Sequence, residues 1–279
     1  MDNYDRNVEL TVGGNLDINV AGTYKLPITI ADDAGNSYTR TMTVDVLNAK
    51  PTAGPTTPPK YELFDDFKAK YKNDNTAVGI DVSRWQETID FEKVKAAGCE
   101  FVMMRIGGYD NGSYYTDKYF KDNIAGAKAA GLKVGIYWHA EEGSAEEVRE
   151  SVNYLVKVLN GAELDFPIAY DWEDFINFEN YGMNLMDINN NFDVFSEELK
   201  SRGYVACLYG SKYYIDTIWI AEREEPDWVA QYASKTTYTG EYFMWQHSSS
   251  GRIDGIKGNV DLDVLYKNIE YSKQAGPVG

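Results

Sequence analysis

Two hydrophobic periodicities divide the chain. Over residues 4–48, apolar and polar positions alternate through Val8-Glu9-Leu10-Thr11-Val12, Tyr24-Lys25-Leu26-Pro27-Ile28-Thr29-Ile30 and Tyr38-Thr39-Arg40-Thr41-Met42-Thr43-Val44, with turn residues at Gly13-Gly14 and Asp32-Asp33-Ala34-Gly35-Asn36. A period of two interrupted by such turns predicts antiparallel hairpins. Ala49 to Lys60 holds four prolines and reads as a semi-rigid extended linker. Residues 61–74 are charged and aromatic and suggest a short lead-in helix.

From Val78 onward, apolar runs alternate with amphipathic stretches. The pattern predicts strands at 78–84, 101–107, 133–139, 167–173 and 204–210, with helices at about 90–98, 117–130, 144–160 and 184–202 between them. Gly98, Gly131, Gly161 and Gly203 follow the helices, where glycine suits a left-handed cap. Repeated βα units imply a parallel sheet. Further strands are expected at 227–232, 242–248 and 260–266. Only nine residues separate Tyr232 from Tyr242, too few for the helical crossover of a dozen or more residues that joins parallel strands. The fold class expected is therefore α/β: an irregular (β/α) barrel of about five β/α units and three further strands. It is preceded by a small N-terminal all-β module; an open doubly wound sheet is the alternative.

Composition narrows the function. The 279 residues are 43% hydrophobic and 14% aromatic, with 22 tyrosines and 6 tryptophans. That suits a large core and a groove that stacks on sugar rings. A formal net charge of −17 leaves no cationic excess to neutralise phosphates, which argues against nucleic acid. No apolar run reaches the ~18 residues of a membrane span, and Met1-Asp2-Asn3 does not open a signal peptide. An exported form would carry its signal upstream. Cys99 and Cys207 are expected as two buried thiols rather than a bridge.

The chemistry concentrates at Ile168-Ala169-Tyr170-Asp171-Trp172-Glu173. On a strand, Asp171 and Glu173 share one face above Ala169, while Tyr170 and Trp172 take the other. Barrel active sites form at the C-terminal strand ends, where the first strand offers Asp81 and Ser83, and the last offers Asp261 and Asp263 beside it if the barrel closes. Carboxylates gathered at one opening raise one another's pKa, which keeps a general acid protonated near neutral pH. Paired carboxylates in an aromatic cleft fit glycoside hydrolysis. A Mg²⁺ or Mn²⁺ site is the competing reading, and two histidines without metal-binding spacing argue against zinc. Tyr137, Tyr209, Trp245, Gln246 and His139, near strand ends, are candidate sugar contacts.

Gly79-Ile80-Asp81-Val82-Ser83-Arg84-Trp85-Gln86, Asp171-Trp172-Glu173, and Trp245-Gln246-His247 running on to Gly258-Asn259-Val260-Asp261-Leu262-Asp263 resemble the family-25 glycoside hydrolases, the lysozymes (N-acetylmuramidases) of bacteria and phages. The resemblance spans about residues 76–270. It implies cleavage of the β-1,4 bond between N-acetylmuramic acid and N-acetylglucosamine in bacterial peptidoglycan, with no metal or other cofactor. By position it implies Glu173 as catalytic acid, with Asp171, Asp81 and Asp261 as the other active-site acids. Asp263 stands where that family usually has Asn, and His247 where an aromatic residue is usual. Ala21-Gly22-Thr23-Tyr24 and Asp33-Ala34-Gly35-Asn36-Ser37 resemble part of a bacterial immunoglobulin-like module. The expected organisation is 1–48 for that module, 49–75 for linker and lead-in, and 76–272 for the catalytic barrel, in a monomer that is secreted or wall-associated. The alternative function is a non-catalytic wall-glycan-binding or adhesion protein.

Overall fold

A computed structural model describes residues 9–32, 34–46, 61–220, 223 and 225–267 and divides the chain into Met1–Pro59 and Lys60–Gly279. The proline-rich linker and the expected barrel end at 272 lie outside the described residues. In the first unit, β1 (Glu9–Val12), β2 (Gly22–Ala31) and β3 (Ser37–Val46) form one antiparallel sheet in that order. Among its described residues Leu26 is the buried hydrophobic one, while Leu10, Val12, Ile18 and Val20 are exposed. Among the described residues this is a single layer, without the second sheet of a sandwich.

The second unit runs β4 (Glu62–Leu63), α1 (Phe64–Tyr71), β5 (Thr76–Val82), α2 (Phe91–Ala96), β6 (Phe101–Asp110), β7 (Ser113–Thr116), α3 (Phe120–Ala129), β8 (Lys133–Ala140), α4 (Ala145–Leu159), β9 (Ile168–Trp172), α5 (Leu185–Lys200), β10 (Ala206–Ser211), α6 (Lys212–Thr217), β11 (Asp227–Ala230), β12 (Tyr242–Arg252) and β13 (Val260–Tyr266). β5, β6, β8, β9, β10, β11, β12 and β13 pair in sequence, and β13 pairs back to β5, closing an eight-stranded barrel. The pairings from β5 round to β12 are parallel; β13 runs antiparallel to both its neighbours. Residues 231–241 carry the chain from β11 to parallel β12 without a helix, as the short spacing requires. Gly98, Gly131, Gly161 and Gly203 all take the positive φ of helix-closing turns.

Strand alternation builds two cores. Val78, Ile80, Met104, Ile136, Tyr170, Trp172, Leu208 and Leu262 point outward into the layer beneath the helices. Ala77, Phe101, Met103, Tyr137, Ala169, Tyr209, Trp228 and Leu265 fill the barrel. Gly79 permits that filling, because a Cβ there would lie 2.6 Å from the Phe101 ring. The 61–74 stretch belongs to this unit's packing: Phe64 and Phe67 of α1 are buried in the outer layer. His247 stacks on Phe67 at 5.6 Å and pairs through Nε2 with Glu62 at 2.7 Å. His247 thus faces away from the barrel interior, and its difference from the usual aromatic residue falls on this outer packing.

One buried acid ties the outer layer together. Glu142, just past β8, accepts from Trp138 Nε1 at 2.8 Å and from Ser151 Oγ of α4, and Tyr170 Oη of β9 lies at 3.5 Å. Burial raises its pKa to about 7, although the Ser151 and Trp138 hydrogen bonds oppose the shift. With the folded pKa above the unfolded one, the native state holds the extra proton, so this group's stabilisation is full below about pH 4.5 and is lost as pH rises toward 7. Glu142→Gln is expected to flatten the pH dependence of the urea midpoint across that window, by up to ~3 kcal/mol.

Candidate active site

The barrel interior changes from apolar at its base to acidic at its mouth, because each strand contributes alternate residues to it. β9 delivers Ala169 and then Asp171, with Glu173 just beyond its end; β5 delivers Ala77, Gly79 and Asp81. The antiparallel course of β13 places Asp261 opposite Asp81 and Asp263 opposite Gly79. A strand beginning with its acids thereby reaches the same mouth as strands ending with theirs.

Asp171 is buried, with no hydrogen-bond partner for Oδ1. Burial pushes its pKa well up; Glu173 and Asp81 add repulsion, and Arg105 opposes them. Glu173 is open to solvent at the mouth, yet protein around its carboxyl also raises its pKa through desolvation. The two acids titrate as a pair, which takes up its first proton at higher pH than an isolated carboxylate would. Asp261 is raised to about 8, by burial first and by Asp81 second. Asp81 is buried and accepts from Gln246 Nε2 at 2.8 Å. Ser83 caps the turn Arg84–Gln86 as part of a capping box, and Gln86 Nε2 reaches the Asn259 carbonyl at 3.2 Å, joining the loop after β5 to the approach to β13. Trp85 projects from that turn, 72% exposed.

Of the expected sugar contacts, the barrel brings Tyr137, Tyr209 and Gln246 to the acids. Tyr209 Oη donates to Gln246 Oε1 at 2.9 Å, and both tyrosines have pKa values raised by burial and then by the neighbouring acids. His139, half-buried, pairs in register with Gly108 on one side and Asp171 on the other. Burial, then Arg105, keeps its pKa low, favouring the neutral ring. Trp245 is not brought there. It is 2% exposed in the outer layer, donating from Nε1 to the Gln231 carbonyl and meeting Tyr71 and His247 edge-on. As the strand neighbour of Gln246 it must take the opposite face, so it cannot be a sugar contact in this structure.

Two further members of the mouth were not anticipated. Arg105 on β6 pairs through Nε with Asp117 at 3.1 Å, both side chains buried, and its Nη2 has no partner. Tyr232 donates to Gln246 Oε1 at 3.1 Å. The arginine had a signal: a lone cation inside the apolar run Phe101-Val102-Met103-Met104-Arg105-Ile106. Among the described residues no group of three or more His, Cys, Asp or Glu side chains is arranged to hold a metal ion.

Residues 80–256 match the family described as Glycosyl hydrolases family 25. The autolytic lysozyme of Clostridium acetobutylicum is 32% identical over 193 residues, covering 68% of this chain and 56% of that protein, so the match spans little more than half the relative's length. Lysozyme M1 of Streptomyces globisporus is 28% identical over 196 residues, covering 66% of this chain and 65% of that one. In structure, a family 25 glycosyl hydrolase from Bacillus anthracis superposes with a TM-score of 0.58 at 20% identity, over 71% of this chain and 90% of the other, which bears on the fold alone. The barrel, with its acids gathered at one end, and the match across most of its length establish that the chain belongs to glycosyl hydrolases family 25.

Proposed function

We propose that the protein is a lysozyme that hydrolyses the β-1,4 bond between N-acetylmuramic acid and N-acetylglucosamine in bacterial peptidoglycan, acting at the cell wall. The observation that carries the reading is the Asp171–Glu173 pair at the C-terminal end of β9, where burial raises both carboxyls in a family-25 barrel. Glu173, at the open mouth, donates its proton to the glycosidic oxygen as positive charge develops at the anomeric carbon. Asp171 and Glu173 hold one proton between them; it lies on Glu173 when the sugar binds because Arg105 draws Asp171 toward its ionised form. Ionised Asp171 orients the substrate's 2-acetamido group, whose carbonyl oxygen attacks the anomeric carbon. The bond to the leaving sugar breaks with inversion at that carbon. Water, giving its proton to the Glu173 carboxylate, then opens the cyclic intermediate with a second inversion, so the net outcome is retention. Tyr137, Tyr209, Gln246 and His139 contact the sugar around these acids, and Asp81 and Asp261 complete the wall of carboxyl groups.

Purified bacterial walls incubated with the protein are expected to clear and to release fragments whose mass spectra show reducing-end N-acetylmuramic acid. Reducing-end N-acetylglucosamine would replace the muramidase reading with a glucosaminidase. Sedimentation of the protein with walls that release no new reducing ends would make it a binding protein.

A further inference from the structure

Asp263 is 0% exposed, and the reading above gives it no task. Its Oδ1 accepts from Trp228 Nε1 at 2.9 Å, while Oδ2 is buried without an N–H donor. A bare anionic oxygen in such a place is costly. The group within hydrogen-bonding reach is the carboxyl of Asp81, on the adjacent strand. Two ionised carboxylates cannot bond to one another, so contact between them requires a proton.

The neighbours show which oxygens are open to share it. Gln246 Oε1 accepts from both Tyr209 Oη and Tyr232 Oη, which leaves Nε2 as the donor to Asp81 Oδ2. Trp228 Nε1 can only donate, so Asp263 Oδ1 is an acceptor. The orphaned oxygen is Asp263 Oδ2, and Asp81 Oδ1 is the oxygen of its carboxyl that Gln246 leaves open. We propose that Asp263 is a positioning residue that shares one proton with Asp81, so that the pair carries a single negative charge spread over two buried carboxyls instead of a full charge on Asp81 beside the sugar. This rests on the lysozyme reading for its consequence, but not for its geometry.

The surroundings favour retention of the proton. Facing Asp81 are Asp261 on β13, Asp171 and Glu173 at β9, Tyr137 on β8, Tyr209 on β10 and Tyr232 beyond β11. Cys99 lies on the Asp263 side. Arg105 on β6 is the cation among these groups, and it acts on Asp171. Burial first pushes both Asp81 and Asp263 well above the usual carboxylate range, with mutual repulsion adding to the Asp81 shift.

Asp263→Asn separates the shared proton from the shape. The amide oxygen can still accept from Trp228, but its Nδ2 now donates to Asp81, which becomes an anion. Negative charge that the pair had shared is then concentrated on Asp81, nearer Glu173, and tightens the hold of Glu173 on its proton. The basic limb of the pH–kcat/KM profile on bacterial walls is expected to move up by roughly half a pH unit or more. A merely structural residue would lower the whole profile without moving the limb. Independently, neutron diffraction from crystals of the unsubstituted chain near neutral pD should find a deuteron between Asp81 Oδ1 and Asp263 Oδ2. An unmoved limb, or no deuteron between those oxygens, overturns the proposal. Should Glu173→Gln prove fully active, the role of Glu173 falls while the deuteron still decides the proton sharing.

Discussion

Glu173→Gln is expected to lose at least ~100-fold in the rate of wall hydrolysis while keeping its circular dichroism and urea midpoint, the scale for removing a general acid. The substitution keeps the side chain's size and takes away its transferable proton. Because Glu173 is open to solvent just beyond β9, the swap disturbs no buried packing, and loss of rate reports chemistry rather than folding. Asp171→Asn is the companion. Asp171 Oδ1 has no partner in the free protein, as expected of an atom reserved for substrate, so this variant should lose rate without becoming less stable. Near-full activity in Glu173→Gln would remove the proton-donor assignment. A fall in its urea midpoint matching the fall in rate would make the residue structural.

How much of this was legible beforehand depended on strand phase. Asp171 could be placed inward because a period of two admits no other arrangement, and Ala169, Tyr170 and Trp172 fall on the faces that period dictates, while Glu173 lies one residue past the strand's end, where the period no longer binds. The same rule forbids the joint assignment of Trp245 and Gln246 to the sugar site, since adjacent strand residues take opposite faces; Gln246 reaches Asp81, and Trp245 packs outside. The direction of β13 could not be read from its own residues. Its acids reach the mouth because the short hairpin from β12 turns the strand round. The hairpin partner β7 and the helix α6, with 4 and 6 residues, are too short for periodicity to mark. Partners such as Trp228 and Asp263, 35 positions apart, are fixed only by barrel closure.

Asp117→Ala is expected to destabilise the barrel by about 3–5 kcal/mol, the cost of leaving one member of a buried ion pair without the other. Asp117 side chain is fully buried, and it is a junction rather than a simple counter-ion: Oδ2 accepts from Arg105 Nε at 3.1 Å and from the Arg84 backbone N–H at 2.9 Å, and Oδ1 accepts from the Tyr119 N–H at 3.0 Å. Its loss strands the Arg105 guanidinium, whose Nη2 already lacks a partner, and frees the loop bearing Ser83 and Trp85 at the mouth. Urea unfolding measures the first effect. Adding Arg105→Met should recover part of the lost stability, because the charge that was costly to leave unpaired is gone. Activity should not recover with it. Arg105 is the cation that draws Asp171 toward its ionised form, so the double variant should be the more stable of the two and still impaired, with Asp171 protonated at a higher pH than in the unsubstituted protein. Recovery of both together would show that Arg105 serves the fold alone.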